Sequence, residues 1–256
     1  MFRIGFLLAA ISCVVSPLIG QVDEVTEAES GVLTQEFLVD LKLHTNGFLA
    51  VGAIYSRSTS PWVTHLYNIE VGALRHPKEQ SQNSGFNANQ FAVDNNAFTF
   101  GKQNYLYALR AGYGQRRYLS TRKNLAMSLT YTGGLSLGVL RPYYLYILRF
   151  PGTIAQAQAS QERYTTENAA DFLDINGIIG SVGGNSGWDE LSFRPGLHLR
   201  SGVNLDLNPT DSFAKSLEVG MMLDYYPGDA VPIMIETNNT PLFVNVYVTL
   251  QFGKRW

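Results

Sequence analysis

The sequence predicts an all-β fold, a single eight-stranded antiparallel β-barrel that crosses an outer membrane and has a lumen filled by side chains. Three observations lead to this prediction. Eight segments alternate between apolar and polar residues, which is the period of a β-strand. The connections between these segments are alternately short and long. Charged residues make up only 16% of the 256 residues, well under the roughly 25% of a typical soluble domain.

Composition also excludes two classes of protein. A hydrophobic content of 45% supplies enough apolar side chain to build a core, which excludes a disordered chain. The 19 basic residues are balanced by 21 acidic ones, which argues against a nucleic-acid-binding protein, since such proteins need excess positive charge.

The first 20 residues predict a secretory signal peptide. Arg3 supplies a positive charge, an apolar stretch runs from Ile4 to Val15, and Gly20 provides a small residue before the expected cleavage site. The stretch is too short for a membrane anchor, which needs about 20 apolar residues. The protein is therefore expected to cross the inner membrane and reach the outer membrane.

The lone cysteine, Cys13, lies inside the segment to be removed, so the mature chain is expected to have no disulfide and no thiolate site. An acylated Cys13 is disfavoured because a lipoprotein signal needs a Leu-like residue where this chain has Ala10. Residues 21–34 form a short acidic periplasmic tether, with a partner-binding tail as the alternative. The barrel is assigned to residues 35–256.

In the first half of the barrel, the strands are predicted near residues 36–44, 48–57, 63–75 and 98–116. The first strand alternates apolar residues such as Phe37 and Leu41 with polar ones. The Asn46-Gly47 pair that follows it is the strongest short-range hairpin signal. The apolar face of the fourth strand carries Tyr105, Tyr107, Leu109, Ala111 and Tyr113.

In the second half, the strands are predicted near residues 125–139, 191–207, 215–226 and 242–252. No even position from Leu191 to Leu207 is apolar. The first two of these strands have about 15 residues or more, well beyond the ~5 to 6 usual in soluble sheets. In the last strand, every even position from Leu242 to Phe252 is apolar.

The connections support a membrane orientation. Those at residues 57–62, 117–123 and 208–214 are short, whereas those at 76–97, 141–190 and 227–241 are long. Bacterial outer-membrane barrels have short periplasmic turns and long extracellular loops. The Asn46-Gly47 hairpin would then be the one short outer loop.

Alternation alone does not show which face of the strands points inward. A secreted lipocalin-like barrel would turn its apolar face toward a ligand, whereas a membrane barrel would turn it toward lipid. A water-exposed strand face favours Thr, Lys and Glu, but the polar face here is mostly Gly, Ser and Ala with isolated charges. Such a mixture fits the interior of a narrow eight-stranded barrel.

Opposite charges inside a narrow lumen should pair, because an unpaired buried ion costs several kcal/mol. We therefore expect a plug and no open channel. The predicted lumen network consists of Glu36, Asp40, Lys42, His44, Glu70, Arg110, Arg194, His198, Arg200, Asp206, Glu218 and Asp224. An aromatic girdle at the membrane interfaces is predicted from Tyr143, Tyr144, Tyr225, Tyr226, Phe252 and Trp256. Trp256 also ends the last strand with an aromatic residue, which resembles an outer-membrane sorting signal.

No catalytic site, metal site or cofactor is predicted. Some small outer-membrane barrels are hydrolases with a Ser-His-acid group, which directs attention to His198 and Ser201. Their odd spacing puts them on opposite faces of a strand, where they cannot hydrogen-bond. The other histidines have no metal-ligand spacing, and the Gly183-Gly184 pair lacks the strand-to-helix context of a phosphate site.

The 141–190 loop has features of its own. Residues 165–173 could form a short helix, and Ile175, Ile178, Ile179 and Val182 form an apolar segment. This segment either docks onto a partner or folds over its own barrel mouth, and the sequence leaves both interpretations open.

Several short motifs occur in and between the predicted strands. They are LHTNG at 43–47, RHPKE at 75–79, GKQN at 101–104, GYG at 112–114, GGLS at 133–136 and PYY at 142–144. Together they resemble a family of small outer-membrane barrels of the Bacteroidota, and the similarity covers about residues 36–150 and the final strand. The resemblance implies a barrel subunit that accompanies the outer-membrane protein assembly (BAM-type) or export machinery. The loop at 151–190 matches no part of that pattern.

The expected function is thus that of a non-catalytic barrel in contact with outer-membrane lipid. It would serve as an accessory or structural subunit of an outer-membrane protein complex, with partner proteins held by the long loops. Two alternatives remain open, a lipid-modifying hydrolase and a free-standing adhesin or stability barrel of the OmpX type.

Overall fold

The computed structural model describes residues 34–85, 93, 96–122, 124–150, 157–235 and 239–256. The expected signal peptide at 1–20 and nearly all of the acidic tether at 21–34 lie outside the described residues.

Eight antiparallel strands close into a barrel in the order β1-β13-β12-β11-β7-β6-β3-β2. Their bounds are β1 Gln35–His44, β2 Ala50–Ser60, β3 Val63–Leu74, β6 Asn104–Arg122, β7 Leu125–Pro142, β11 Ser192–Leu207, β12 Phe213–Tyr225 and β13 Leu242–Arg255. Each strand forms antiparallel hydrogen bonds with the strands next to it in this order. The first and last strands close the ring in a register that sets Leu41 opposite Leu250. The predicted fold class is confirmed.

The remaining elements belong to the loops at one end of the barrel. They are β4 Ser81–Gln82, β5 Phe98–Thr99, β8 Tyr144–Arg149, β9 Gln158–Arg163, β10 Ile178–Ser181, helix α1 Ala169–Phe172 and a 3-10 turn at Ile175–Gly177. Strands β10, β8 and β9 form a three-stranded sheet in that order, and β4 pairs with β5.

The predicted boundaries of the fourth strand need correction. Phe98 and Thr99 form the separate β5, and the chain turns at Gly101, whose φ of 68° is left-handed. The barrel strand β6 begins at Asn104 and continues past Arg116 to Arg122. A register shift lies between Tyr118 and Ser120, and beyond it the backbone pairing with β7 continues to Arg122.

The apolar face of the strands points outward. Val244, Val246, Val248 and Leu250 of β13 are 42–54% exposed, while the residues between them are buried. From Leu242 to Phe252 the apolar face is about 34 Å long, or about 26 Å along the barrel axis at a strand tilt of ~40°. This height matches the ~25 Å apolar band of outer-membrane barrels.

Helices contribute little to this fold. Among the described residues, none of the helices is long and apolar enough to cross a membrane. The predicted helix at 165–173 is present as the single turn α1.

Candidate functional site

The barrel interior contains a continuous network of charged and polar side chains. Of the twelve residues predicted for the lumen, the structure buries eleven. Arg194 is the exception. It lies near the start of β11, beside the barrel mouth, and it is half-buried with no ion pair among the described residues. It therefore lies apart from the buried network.

The centre of the network joins strands from opposite sides of the barrel. The guanidinium of Arg110 donates to both oxygens of Asp224, at 2.7 and 2.9 Å, and to Glu70 at 2.7 Å. Glu70 also pairs with Lys42. All four side chains are almost completely buried. Such ion pairs survive without water because each carboxylate has at least two charged or hydrogen-bonding partners.

Arg200 organises the next part of the centre. Its Nη2 lies 2.7 Å from Glu218 Oε1, and its Nη1 lies 3.5 Å from Asp40 Oδ2. Tyr247 donates its hydroxyl to the same Glu218 oxygen at 2.6 Å. The two arginine clusters meet at Glu70, which is 3.8 Å from Arg200.

A second ion cluster fills the lumen at the end with the short turns. Glu36 pairs with Arg116 at 3.0 Å and with Arg255 at 2.6 Å, and Arg255 also pairs with Asp206. Gln251 accepts hydrogen bonds from Arg116 at 3.4 Å and from Asn204 at 2.9 Å. Asn204 also donates to Glu218 of the central part at 3.4 Å, so the two clusters are connected.

The prediction of the lumen network omitted several of its members. Arg116, Arg255 and Tyr247 are buried and central to these contacts. The signal that could have found them was already in the sequence, because each shares the parity of the inward residues on its own strand.

Glycines make room for the largest interior side chains. A Cβ atom at Gly202 would lie 2.6 Å from the Tyr247 hydroxyl, and one at Gly220 would lie 2.7 Å from it. Because a real Cβ cannot approach so closely, the tyrosine fits only over positions without a side chain. This explains part of the glycine content of the inward face.

The loop between β12 and β13 closes the barrel mouth. Val231, Ile233 and Met234 of this loop are buried in a cluster with the inward residues Leu74, Leu106, Ala108, Leu140 and Phe243. Backbone hydrogen bonds from Gln103 and Asn104 to the Ile233 carbonyl fix the loop in place. We call Val231, Ile233 and Met234 the roof. The apolar side chains of the roof thus cover the long-loop end of the lumen, and the ion pairs occupy the lumen beneath it.

The assignment of Tyr226 and Tyr143 to the aromatic girdle is wrong. Tyr226 continues the inward parity of β12. It is 1% exposed under the roof, with its hydroxyl 2.9 Å from that of Ser136. Tyr143 follows the end of β7, so strand parity no longer directs it outward. It is 3% exposed and accepts a hydrogen bond from the Thr99 backbone N–H at 3.0 Å.

The other four predicted girdle residues have different locations. Tyr225, Phe252 and Trp256 lie on the outer surface of the barrel, 38–48% exposed. Tyr144 lies on β8 outside the barrel, where its hydroxyl donates to Glu190 at 2.9 Å.

The aromatic cluster at the long-loop end of the outer surface is one that the sequence analysis missed. Arg141 stacks against Tyr105 and against Trp188, with distances of 4.4 and 4.7 Å to the ring centroids. Tyr107 stacks on Trp188 at 5.9 Å. Trp188 comes from a loop, so no strand periodicity could place it there.

The 141–190 connection is folded for much of its length. Phe98, Tyr143, Leu145, Ile147, Phe172 and Ile178 form a buried cluster between β8, β10, β5 and α1. Ile178 and Ile179 are completely buried, while Ile175 is half-exposed. The structure therefore supports the interpretation in which this apolar segment packs against loops at its own barrel mouth. We call the sheet β10-β8-β9 together with α1 the loop platform.

Ion pairs hold the loop platform together at its surface. Arg149 donates to both Glu162 oxygens at 2.8 and 2.7 Å and also pairs with Asp171, while Arg163 pairs with Glu190. The hydrogen bonds from Arg149 hold the pKa of Glu162 below its usual value. Nearer the barrel, burial lowers the pKa of Lys102, opposed by Glu79, which lies 2.5 Å away.

The described residues do not bring His198 and Ser201 together as a hydrolase site would require. His198 is buried in the lumen, with Nδ1 3.2 Å from Asp224, whereas Ser201 lies on the outer face of the same strand. Within the described ranges, no three His, Cys, Asp or Glu side chains are grouped as metal ligands.

A closed barrel with an apolar exterior, an ion-paired lumen and a sealed mouth defines the class of this protein. It is an eight-stranded β-barrel of the outer-membrane type with a side-chain-filled interior. No protein-family model matches the chain. No curated protein sequence matches it.

Three solved structures illustrate what the chain is similar to. The N-terminal β-barrel domain of Pseudomonas aeruginosa OprF has 8% identity and a TM-score of 0.36, covering 89% of this chain and 100% of that one. Ail, the attachment invasion locus protein of Yersinia pestis, has 9% identity and a TM-score of 0.34, with coverages of 87% and 95%. Neisserial surface protein A has 9% identity and a TM-score of 0.35, with coverages of 85% and 94%.

Proposed function

We propose that this chain is a non-catalytic protein of the bacterial outer membrane that acts through its loop platform as an accessory subunit of an outer-membrane complex. The observation that carries the proposal is a contrast. Among the described residues, buried ion pairs and the roof occupy the barrel interior, whereas the longest connection is folded into a sheet outside the barrel.

Membrane insertion is supported by the outer surface. The exposed large apolar residues cover the strands, and a closed barrel leaves no unpaired strand edge in the hydrocarbon region. The short turns lie at the end where β1 begins and β13 ends, and that end is assigned to the periplasm. The loop platform is then extracellular.

The loop platform offers a specific means of holding a partner. Strand β9 pairs with β8 along one edge, and its other edge has no strand partner within the described part of the chain. An exposed edge presents unpaired backbone donors and acceptors, which can accept a strand from another protein. The assembly or export machinery implied by the sequence motifs is the kind of complex in which we place the chain.

The experiment is gentle detergent extraction of a tagged copy, followed by the stoichiometry of what co-purifies. A variant in which residues 143–191 are replaced by a short turn should fold but lose the partner. Insertion of the same turn between Thr210 and Asp211, at the opposite end, is the control and should keep it.

Two results contradict the proposal. One is recovery of the wild-type barrel alone, although a heat-modifiability gel shows that it is folded; this would favour a free-standing barrel. The other is retention of the partner without the platform. An altered lipid A or phospholipid profile in a deletion strain, restored by the wild-type gene, would instead favour the hydrolase alternative.

A further inference from the structure

A row of polar side chains interrupts the apolar outer surface on one flank of the barrel. Arg57 of β2, His65 of β3, Gln115 of β6 and Tyr131 of β7 are successive register partners, so they lie side by side across four strands. On the opposite flank, β13 is apolar at every outward position from Leu242 to Phe252. The polar row therefore does not extend across β13.

The histidine in this row is held in one orientation. His65 Nδ1 lies 2.5 Å from the Tyr113 hydroxyl, and the two rings stack at 5.8 Å with an interplanar angle of 16°. Tyr67 packs against Tyr113 at 5.2 Å. When the Tyr113 hydroxyl donates to Nδ1, Nε2 carries the ring proton, and no described residue accepts it.

A groove opens beside this histidine. It has a volume of about 510 Å³ and is lined by Arg57, Ser58, Thr59, His65, Tyr67 and Tyr113. The Arg57 guanidinium is exposed and makes no ion pair within the described residues. The groove thus combines a free guanidinium, an imidazole, two hydroxyl side chains and two aromatic rings. This set matches a phosphate group next to an acyl chain, because guanidinium binds phosphate oxygens in a two-point fork.

The charge around the groove favours an anion. The groove lies at the short-turn end, where the exposed bases Arg117, Arg122, Lys215 and Lys254 are also found. Among the described residues of this end, the acidic side chain exposed beside them is Asp211, in the β11–β12 turn. Positive charge at a membrane surface attracts anionic headgroups.

We infer that the groove between Arg57, His65 and Tyr113 binds the phosphodiester of a phospholipid headgroup, with the acyl chains lying along Tyr67 and the apolar surface of β3. The Arg57 guanidinium donates hydrogen bonds to two phosphate oxygens, and His65 Nε2–H donates to one of them. The inference rests on the membrane orientation in the proposed function, which puts the groove in the periplasmic leaflet. It does not depend on a protein partner.

The test is native mass spectrometry of the purified full-length barrel, after detergent exchange in the presence of phosphatidylglycerol. Arg57→Ala should lower the retained lipid by about tenfold, as expected when a charge-assisted hydrogen-bond pair is lost. Arg57→Lys keeps the charge but loses the fork, and should give an intermediate loss. Lys254→Ala removes an exposed charge at the same end outside the groove and should leave retention unchanged. Arg57 and Lys254 are both exposed, so a heat-modifiability gel should show all three variants folded.

Three results would overturn the inference. Equal losses in Arg57→Ala and Lys254→Ala would mean unspecific attraction to positive charge. Unchanged retention of phosphatidylglycerol by Arg57→Ala would show that Arg57 does not bind the phosphate. Preference for lipid A over phosphatidylglycerol would assign the phosphate to the other leaflet. Since each measurement uses the isolated barrel, a failure here is distinct from a failure to recover a partner protein.

Discussion

Arg110 and Asp224 form a two-point ion pair across the barrel, with Nε 2.7 Å from Oδ1 and Nη2 2.9 Å from Oδ2. The two residues are 114 positions apart in the chain and lie on β6 and β12. The same guanidinium holds Glu70, so one side chain links three strands. The stability of the barrel should therefore depend strongly on this arginine.

Removing Arg110 should be costly. Arg110→Met leaves two buried carboxylates short of a partner, and we expect a loss of about 3–5 kcal/mol in the free energy of unfolding. Adding Asp224→Leu should recover a large part, because an apolar pair replaces an unpaired charge. Urea unfolding of the barrel in lipid vesicles measures both. A single-variant loss below about 1 kcal/mol would contradict the importance of the pair.

The fit between Gly202 and Tyr247 should show up as energetic coupling. Gly202→Ala puts a methyl group against the Tyr247 hydroxyl, and we expect a loss of roughly 1–3 kcal/mol from overpacking. In a Tyr247→Phe background the same change should cost less, since the hydroxyl is gone. A double-mutant cycle measures this difference. Strict additivity of the two variants would mean that the conflict at Gly202 is with the neighbouring backbone alone.

The sealed lumen should not conduct. In planar bilayers the purified protein should show no stable conductance, because ion pairs fill the interior and Val231, Ile233 and Met234 cover its mouth. A variant with Val231 and Ile233 both changed to Ser should still be closed, since the charged layers below the roof remain. A reproducible open channel in the wild type would refute the filled-lumen assignment.

The loop platform should loosen in acid while the barrel stays folded. Arg149 lowers the pKa of Glu162 from the usual 4.5. A lowered pKa contributes stability that is present above pH 4.5 and is lost as the pH falls through the folded value. Hydrogen exchange of residues 144–149 and 158–163 should rise in that range, with little change in the barrel strands. Glu162→Gln should show the faster exchange already at neutral pH and a weaker pH dependence.

Most of the barrel could be predicted because its residues alternate between two different environments along every strand. Lipid on one side and a crowded lumen on the other impose alternation on every strand, so even Arg116 and Arg255 could have been found by parity. Prediction failed where the chain leaves the strands. The burial of Tyr143, the stacking of Trp188 on Arg141 and the roof at Val231 all depend on loop conformations that no local period encodes.

The closure of β1 on β13 ties the folding of the barrel to its last residues. Thr45 and Val246 are joined by a backbone hydrogen bond across 201 positions, and Arg255 reaches back to Glu36 across 219. Contacts at such separation form late, because the entropy of closing the chain must be overcome before they contribute. The ring therefore stays open until the final strand arrives. When it does, the Arg255 side chain completes the second ion cluster and joins β13 to β1 through Glu36.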